Sequence, residues 1–126
     1  QQFIYSLRRM LDPIKEHVDN NFNPLPTEYI NEFMPIRQKI NDLMKMSCEQ
    51  IETSRYENYR EILAEADACK DELSVIRKKH IDRLQNMKDN TLMQISLVYL
   101  NVLQESQEFL SVMRHQLRAA KKFMEN

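Results

Sequence analysis

The chain of 126 residues contains no glycine. Glycine is the residue that reaches positive φ without a steric penalty, and strands joined by tight hairpins depend on it. A chain without it is therefore expected to be helical throughout. Its composition allows helices to pack. Hydrophobic residues make up 42% and charged residues 29%, which fits neither a disordered tail nor a membrane span. The length is that of one domain, so residues 1–126 are read as a single helical bundle.

The bundle is expected to be organised around residues 55–90, RYENYREILAEADACKDELSVIRKKHIDRLQNMKDN. Tyr59, Ile62, Ala66, Cys69, Leu73, Ile76, His80, Leu84 and Met87 recur at helical spacing and define one face. Acidic residues crowd the first half of this segment, and Arg77, Lys78, Lys79 and Arg83 the second. That gradient complements the helix dipole, which accounts for it without any ligand.

Three further segments surround it. Residues 3–20 carry Phe3, Leu7, Met10, Leu11, Ile14 and Val18 on one stripe, with Pro13 predicting an outward kink. Residues 20–26, NNFNPLP, read as a loop. Residues 27–53 follow, with Thr27 as N-cap and a stripe of Tyr29, Phe33, Ile36, Ile40, Leu43, Met44, Ser47 and Ile51. Pro35 predicts a bend or a late start there. Residues 88–91 form a short turn in which Asn90 takes the left-handed conformation and Thr91 and Gln94 form a capping box. The last segment, 91–124, should bury Ile95, Val98, Val102, Ser106, Phe109, Met113, Leu117 and Ala120. The expected architecture is an elongated, antiparallel, three- to four-helix bundle.

The first half of the last segment is apolar almost all round. Met93, Leu97 and Leu100 form a second stripe opposite the core face. Either residues 3–20 cover it, or it is a partner interface with a second copy or with another part of a longer protein. The chain opens on Gln1 in the middle of an apolar pattern, as expected of a piece of a larger protein.

Several function classes find no support. A formal net charge of -1 gives no electrostatic case for nucleic acid. The run 95–103 is interrupted by Ser96 and Asn101 and falls short of the ~18 apolar residues of a membrane span. A signal peptide is not expected from the pattern of these residues. Cys48 and Cys69 lack metal or disulfide spacing, so a reducing compartment is expected. No residues resemble a catalytic set, and the chain is read as a non-enzyme. Met44, Met87 and Met113 sit at core spacing as gap-fillers.

Two constellations carry possible chemistry. His80 lies on the core face, where a buried, hydrogen-bonded imidazole is expected; a phosphotransfer histidine would have to be exposed. His115 faces outward, and His17 ends the first segment. Asp67 and Asp71, four apart, share a helix face. They form a solvated acidic surface or, with ligands from the last segment, where Glu105 flanks the core face and Glu108 points outward, a cation site.

The stretch 47–84, SCEQIETSRYENYREILAEADACKDELSVIRKKHIDRL, resembles the repeat of PhoU-like domains, and 67–71 matches their E/D-x-x-x-D signature. The stretch HVDNN at 17–21 and the tail LVYLNVLQESQEFLSVMRHQLRAAKKF at 97–123 resemble the C-terminal cytoplasmic extension of bacterial inorganic phosphate transporters. The resemblance implies a regulatory domain behind a sodium/phosphate permease, at the cytoplasmic face of the inner membrane. Its partners would be the transmembrane part of that transporter and a second copy of itself, giving a homo-oligomer. Some PhoU-like proteins hold iron or zinc clusters through two such signatures. Carried over, Asp67 and Asp71 would bind a divalent or ferric ion, with the second signature near Glu105. Four residues on stands Phe109 rather than aspartate, a departure from the family pattern. A helical scaffold with no phosphate link is the alternative from a different class.

Overall fold

A computed structural model describes residues 26–125. The expectations for residues 3–20, for most of the loop that follows, and for Pro13 and His17 lie outside the described residues. Those described form three helices: α1 (Thr27–Thr53), α2 (Tyr59–Gln85) and α3 (Asn90–Glu125). At about 1.5 Å per residue, α1 and α2 extend about 40 Å and α3 about 54 Å. None of these helices is long and apolar enough to cross a membrane.

The helix ends correct several expectations. Helix α1 begins from Pro26, whose carbonyl accepts from the Tyr29 and Ile30 amides at 3.0 and 3.2 Å. Thr27 thus stands inside the first turn rather than at the cap. Pro35 neither breaks nor delays α1. The hydrogen bond it cannot make would go to the carbonyl of Asn31, and both residues are exposed, so water can replace it.

Among the described residues the left-handed one is Ser54, with φ of 55°, and not Asn90. Its conformation lets the Ser54 and Arg55 amides close onto Ile51 and Gln50 and end α1. Asn90 is the first residue of α3, because Asp89 is the cap. Asp89 Oδ1 accepts from the amides of Thr91 at 2.8 Å and Leu92 at 3.3 Å. The capping box at Thr91 and Gln94 is therefore pre-empted by a carboxylate placed two residues earlier. Helix α2 is also shorter than 55–90 suggested, since reversing the chain takes up residues at both ends.

Polar pairs record the packing order. From α2 to α3, Asp67 meets Arg114, Ser74 meets Gln107 and His80 meets Ser96. As one number rises the other falls, so the pair is antiparallel. From α1 to α2, Glu32 meets Arg83 and Lys39 meets Glu72, again antiparallel. From α1 to α3, Tyr29 meets Ser96 and Glu32 meets Tyr99, with both numbers rising, so these two run parallel.

The core follows the α1 stripe closely: Tyr29, Phe33, Ile36, Ile40, Leu43 and Ser47 are all buried. In α2, Ile62, Ala66, Cys69, Leu73 and His80 are buried, while Tyr59, Ile76 and Leu84, and Met87 just beyond its end, are half-buried. In α3 the expected Val102, Ser106, Phe109, Met113 and Leu117 are buried. Tyr99, Leu103, Ser106, Leu110, Met113 and Leu117, spaced alternately four and three apart, form the fully buried line. That is the 3.5-residue period of helices supercoiled against neighbours. Ile95, Val98 and Ala120, expected in the core, are only half-buried, and Ser96 is buried in their place. Each large apolar side chain fully buried here stabilises the bundle by about 1.5–3 kcal/mol.

Candidate functional site

The densest polar chemistry lies inside the bundle, where the start of α1, the end of α2 and the start of α3 meet. The phenol rings of Tyr29 and Tyr99 stack with centroids 4.7 Å apart and planes 4° from parallel. The His80 imidazole stands edge-on to both, at 4.8 and 4.9 Å. The Tyr29 hydroxyl pairs with Ser96 Oγ at 3.1 Å. Tyr99 donates its hydroxyl to Glu32 Oε1 at 2.9 Å. Arg83 closes the cluster. Its guanidinium donates to both Glu32 oxygens, lies 3.3 Å from Glu28, and stands 5.4 Å above the Tyr29 ring.

His80 is fully buried, as expected of a core histidine. Its Nε2 lies 2.7 Å from the Ser96 carbonyl oxygen. A carbonyl only accepts, so Nε2 carries the proton and Nδ1 keeps a lone pair. That Nδ1 is buried without a hydrogen-bond partner among the described residues. Burial lowers the His80 pKa; the Ser96 carbonyl opposes this and the Arg83 charge reinforces it. The imidazole is thus held neutral, and its burial removes the exposure that phosphotransfer requires.

The surrounding groups are tuned by the same burial. Desolvation pushes the Glu32 carboxyl up, but hydrogen bonds from Arg83 and Tyr99 and the Arg83 charge together hold it below its ordinary value. Burial, and donation to an ionised Glu32, drive the Tyr99 hydroxyl well above the usual phenol range. Arg83 is raised by its bond to Glu32. The cluster is a charge-paired lock that ties all three helices into one register.

The acidic pair is differently placed. Asp67 Oδ1 lies 3.0 Å from Arg114 Nε, a charge contact without hydrogen-bond geometry at that nitrogen. Asp71 is exposed and Glu105 half-buried. Glu105 stands two residues before Gln107, about 200° round the helix at 100° per residue. Gln107 faces α2, donating to the Lys70 carbonyl at 3.1 Å and Ser74 Oγ at 2.6 Å. Glu105 therefore turns away from the α2 seam and does not join Asp67 and Asp71. Among the described residues no three His, Cys, Asp or Glu side chains gather as a metal site. Cys69 is buried, which pushes its thiol up to about 11 and leaves it unreactive.

The second apolar stripe resolves into a seam. Leu97 is 48% exposed, while Met93 and Leu100 are half-buried. Leu100 and Met93 stand two and four turns before Gln107 on the same side of α3, flanking α2. On α2, Ile81 is one turn beyond Arg77, which donates to Gln107, and is 38% exposed. Ile81, Met93 and Leu100 thus flank the outer side of the α2–α3 seam, and Leu97, about 80° round α3 from Gln107, stands beside them toward solvent.

Sequence reasoning missed Glu32, Tyr99 and the Tyr29–Tyr99 stack. The signal was available in the four-three spacing of Tyr99, Leu103, Ser106 and Leu110, which places Tyr99 on the same line as Met113. Comparison of the chain with family models, characterised proteins and solved structures returns no match.

Proposed function

We propose that this bundle is a regulatory interaction domain of a PhoU-like kind, modulating phosphate uptake by an inorganic phosphate transporter of which it is a part. The observation that carries the interaction reading is the apolar flank of the α2–α3 seam, where Ile81 and Leu97 stand exposed beside half-buried Met93 and Leu100. A surface of this kind takes an apolar segment of another protein surface. The phosphate link rests on the likeness of residues 47–84 and 97–123 to the family. The transmembrane part of the same transporter and a second copy of the bundle are the proposed partners, at the cytoplasmic face of the inner membrane. The role is regulatory rather than catalytic, and the buried lock serves it by holding the seam's two helices in a fixed register.

Reading the coding sequence on the 5′ side of Gln1 tests the transporter link. Membrane-spanning segments of a phosphate permease are expected there. Their absence would leave a helical interaction module with no tie to transport.

A further inference from the structure

At the far end of the bundle from the His80 lock, the start of α2 and the last turns of α3 enclose a cleft of about 570 Å³. It is lined by Tyr59, His115, Arg118, Ala119, Lys121 and Lys122. Three of the six are cationic, and no carboxylate among the described residues lines it. The nearby acidic group on α2, Asp67, is already set against Arg114. Glu61, in the first turn of α2, is exposed and outside the lining.

Two more observations point the same way. Tyr59 is the first residue of α2, and Asn58 before it makes no side-chain cap. The Tyr59 and Ile62 amides donate to the Tyr56 and Asn58 carbonyls, so what the start of α2 brings to the cleft is the positive end of the helix dipole. The Lys121 ammonium is held 5.0 Å over the Tyr59 ring, and Tyr56 packs edge-on to that ring at 6.4 Å. The aromatic pair thus fixes one of the cations at the cleft wall and supplies a flat apolar side.

We propose that this cleft binds a phosphate-bearing anion, held by Arg118, Lys121 and Lys122 beside the start of α2. A guanidinium fork with two ammonium groups suits a multiply charged tetrahedral oxyanion better than a single carboxylate. The cleft's volume exceeds that of a bare phosphate, so an organic group can lie along Tyr59. The anion is either a soluble phosphate or the headgroup of an anionic lipid. The proposal stands on the cleft, and the transporter reading neither supplies it nor falls with it.

The test uses the full 126-residue chain. Inorganic phosphate and tripolyphosphate are titrated calorimetrically, with chloride as control. Co-sedimentation is measured with phosphatidylcholine vesicles with and without phosphatidylglycerol. The double variant Arg118→Glu/Lys122→Glu changes only exposed positions, and thermal melts confirm that it folds. Lys45→Glu/Lys78→Glu, also exposed, makes the same change in net charge elsewhere. Saturable binding is expected in at least one arm, weakened about tenfold or more (about 1.4 kcal/mol) by the cleft variant and retained by the control. Binding of the soluble anions alone assigns the site to a free phosphate; binding of the phosphatidylglycerol vesicles alone assigns it to a headgroup. No saturable binding in any arm, or equal loss in both variants, overturns the proposal.

Discussion

Replacing His80 with leucine should make the bundle resistant to mild acid. The imidazole is fully buried and neutral, with Nε2 donating to Ser96 and Nδ1 unpartnered among the described residues. Its folded-state pKa is lowered, so in acid the unfolded chain binds a proton that the folded chain resists. Stability is therefore complete above the ordinary histidine value of about 6.5 and is lost as pH falls below it, with a slope of at most about 1.4 kcal/mol per pH unit. At neutral pH, leucine gives up a hydrogen bond worth about 1 kcal/mol but also removes a buried acceptor whose isolation costs about 1–3 kcal/mol. The two offset, so wild type and variant should agree within about 1 kcal/mol near pH 8. Urea unfolding followed by circular dichroism between about pH 8 and pH 5 measures the difference, in which the other titrations cancel. Wild type should lose stability relative to His80→Leu through that window. Parallel curves would refute the buried neutral imidazole. A loss of several kcal/mol at pH 8 would refute the unpartnered Nδ1.

Other perturbations probe neighbouring parts of the account. Tyr99→Phe keeps the ring stack but removes the hydroxyl from Glu32, and should cost about 1.5–3 kcal/mol in denaturant unfolding. Glu32→Gln should flatten the acid limb of the stability curve. The lowered Glu32 pKa means its stabilisation is present above the ordinary carboxylate range and disappears as pH falls through it. Ser54→Gly should raise the melting temperature, because Ser54 holds φ at 55° and a non-glycine residue pays about 1–2 kcal/mol there. Leu97→Glu should weaken self-association in light scattering while leaving the melting temperature close to wild type, since Leu97 is 48% exposed.

The all-helical architecture was legible because it follows from glycine's absence and from apolar spacing, both local properties. The α1 stripe survived almost residue for residue for the same reason. The α3 core was harder. Its apolar residues occur nearly all round, so periodicity alone admits two lines, and the one through Ile95 and Val98 is the more hydrophobic. From Val102 to Leu117 the expected line is buried, but at the start of α3 packing selected Ser96 and Tyr99, because Tyr29 and His80 give Ser96 partners and Glu32 accepts from Tyr99. That choice depends on which helices become neighbours, and no single segment encodes it. His80 was recognisable as a core histidine from its position. The Glu32–Arg83–Tyr99 lock was not, because its members are separated by 51 and 67 residues. The turns misled for a smaller reason. With no glycine, any short polar residue could have taken the left-handed position, and Ser54 rather than Asn90 did so.

The most direct measurement of the central claim is labelled phosphate uptake by cells carrying the parent protein, with the Ile81 and Leu97 surface intact or changed by Ile81→Glu/Leu97→Glu. Both positions are exposed, so the variant bundle should fold and accumulate normally. The account predicts an altered uptake rate at equal protein level, together with loss of the bundle's contact with its partner in site-directed crosslinking. Unchanged uptake with that contact demonstrably lost would contradict it.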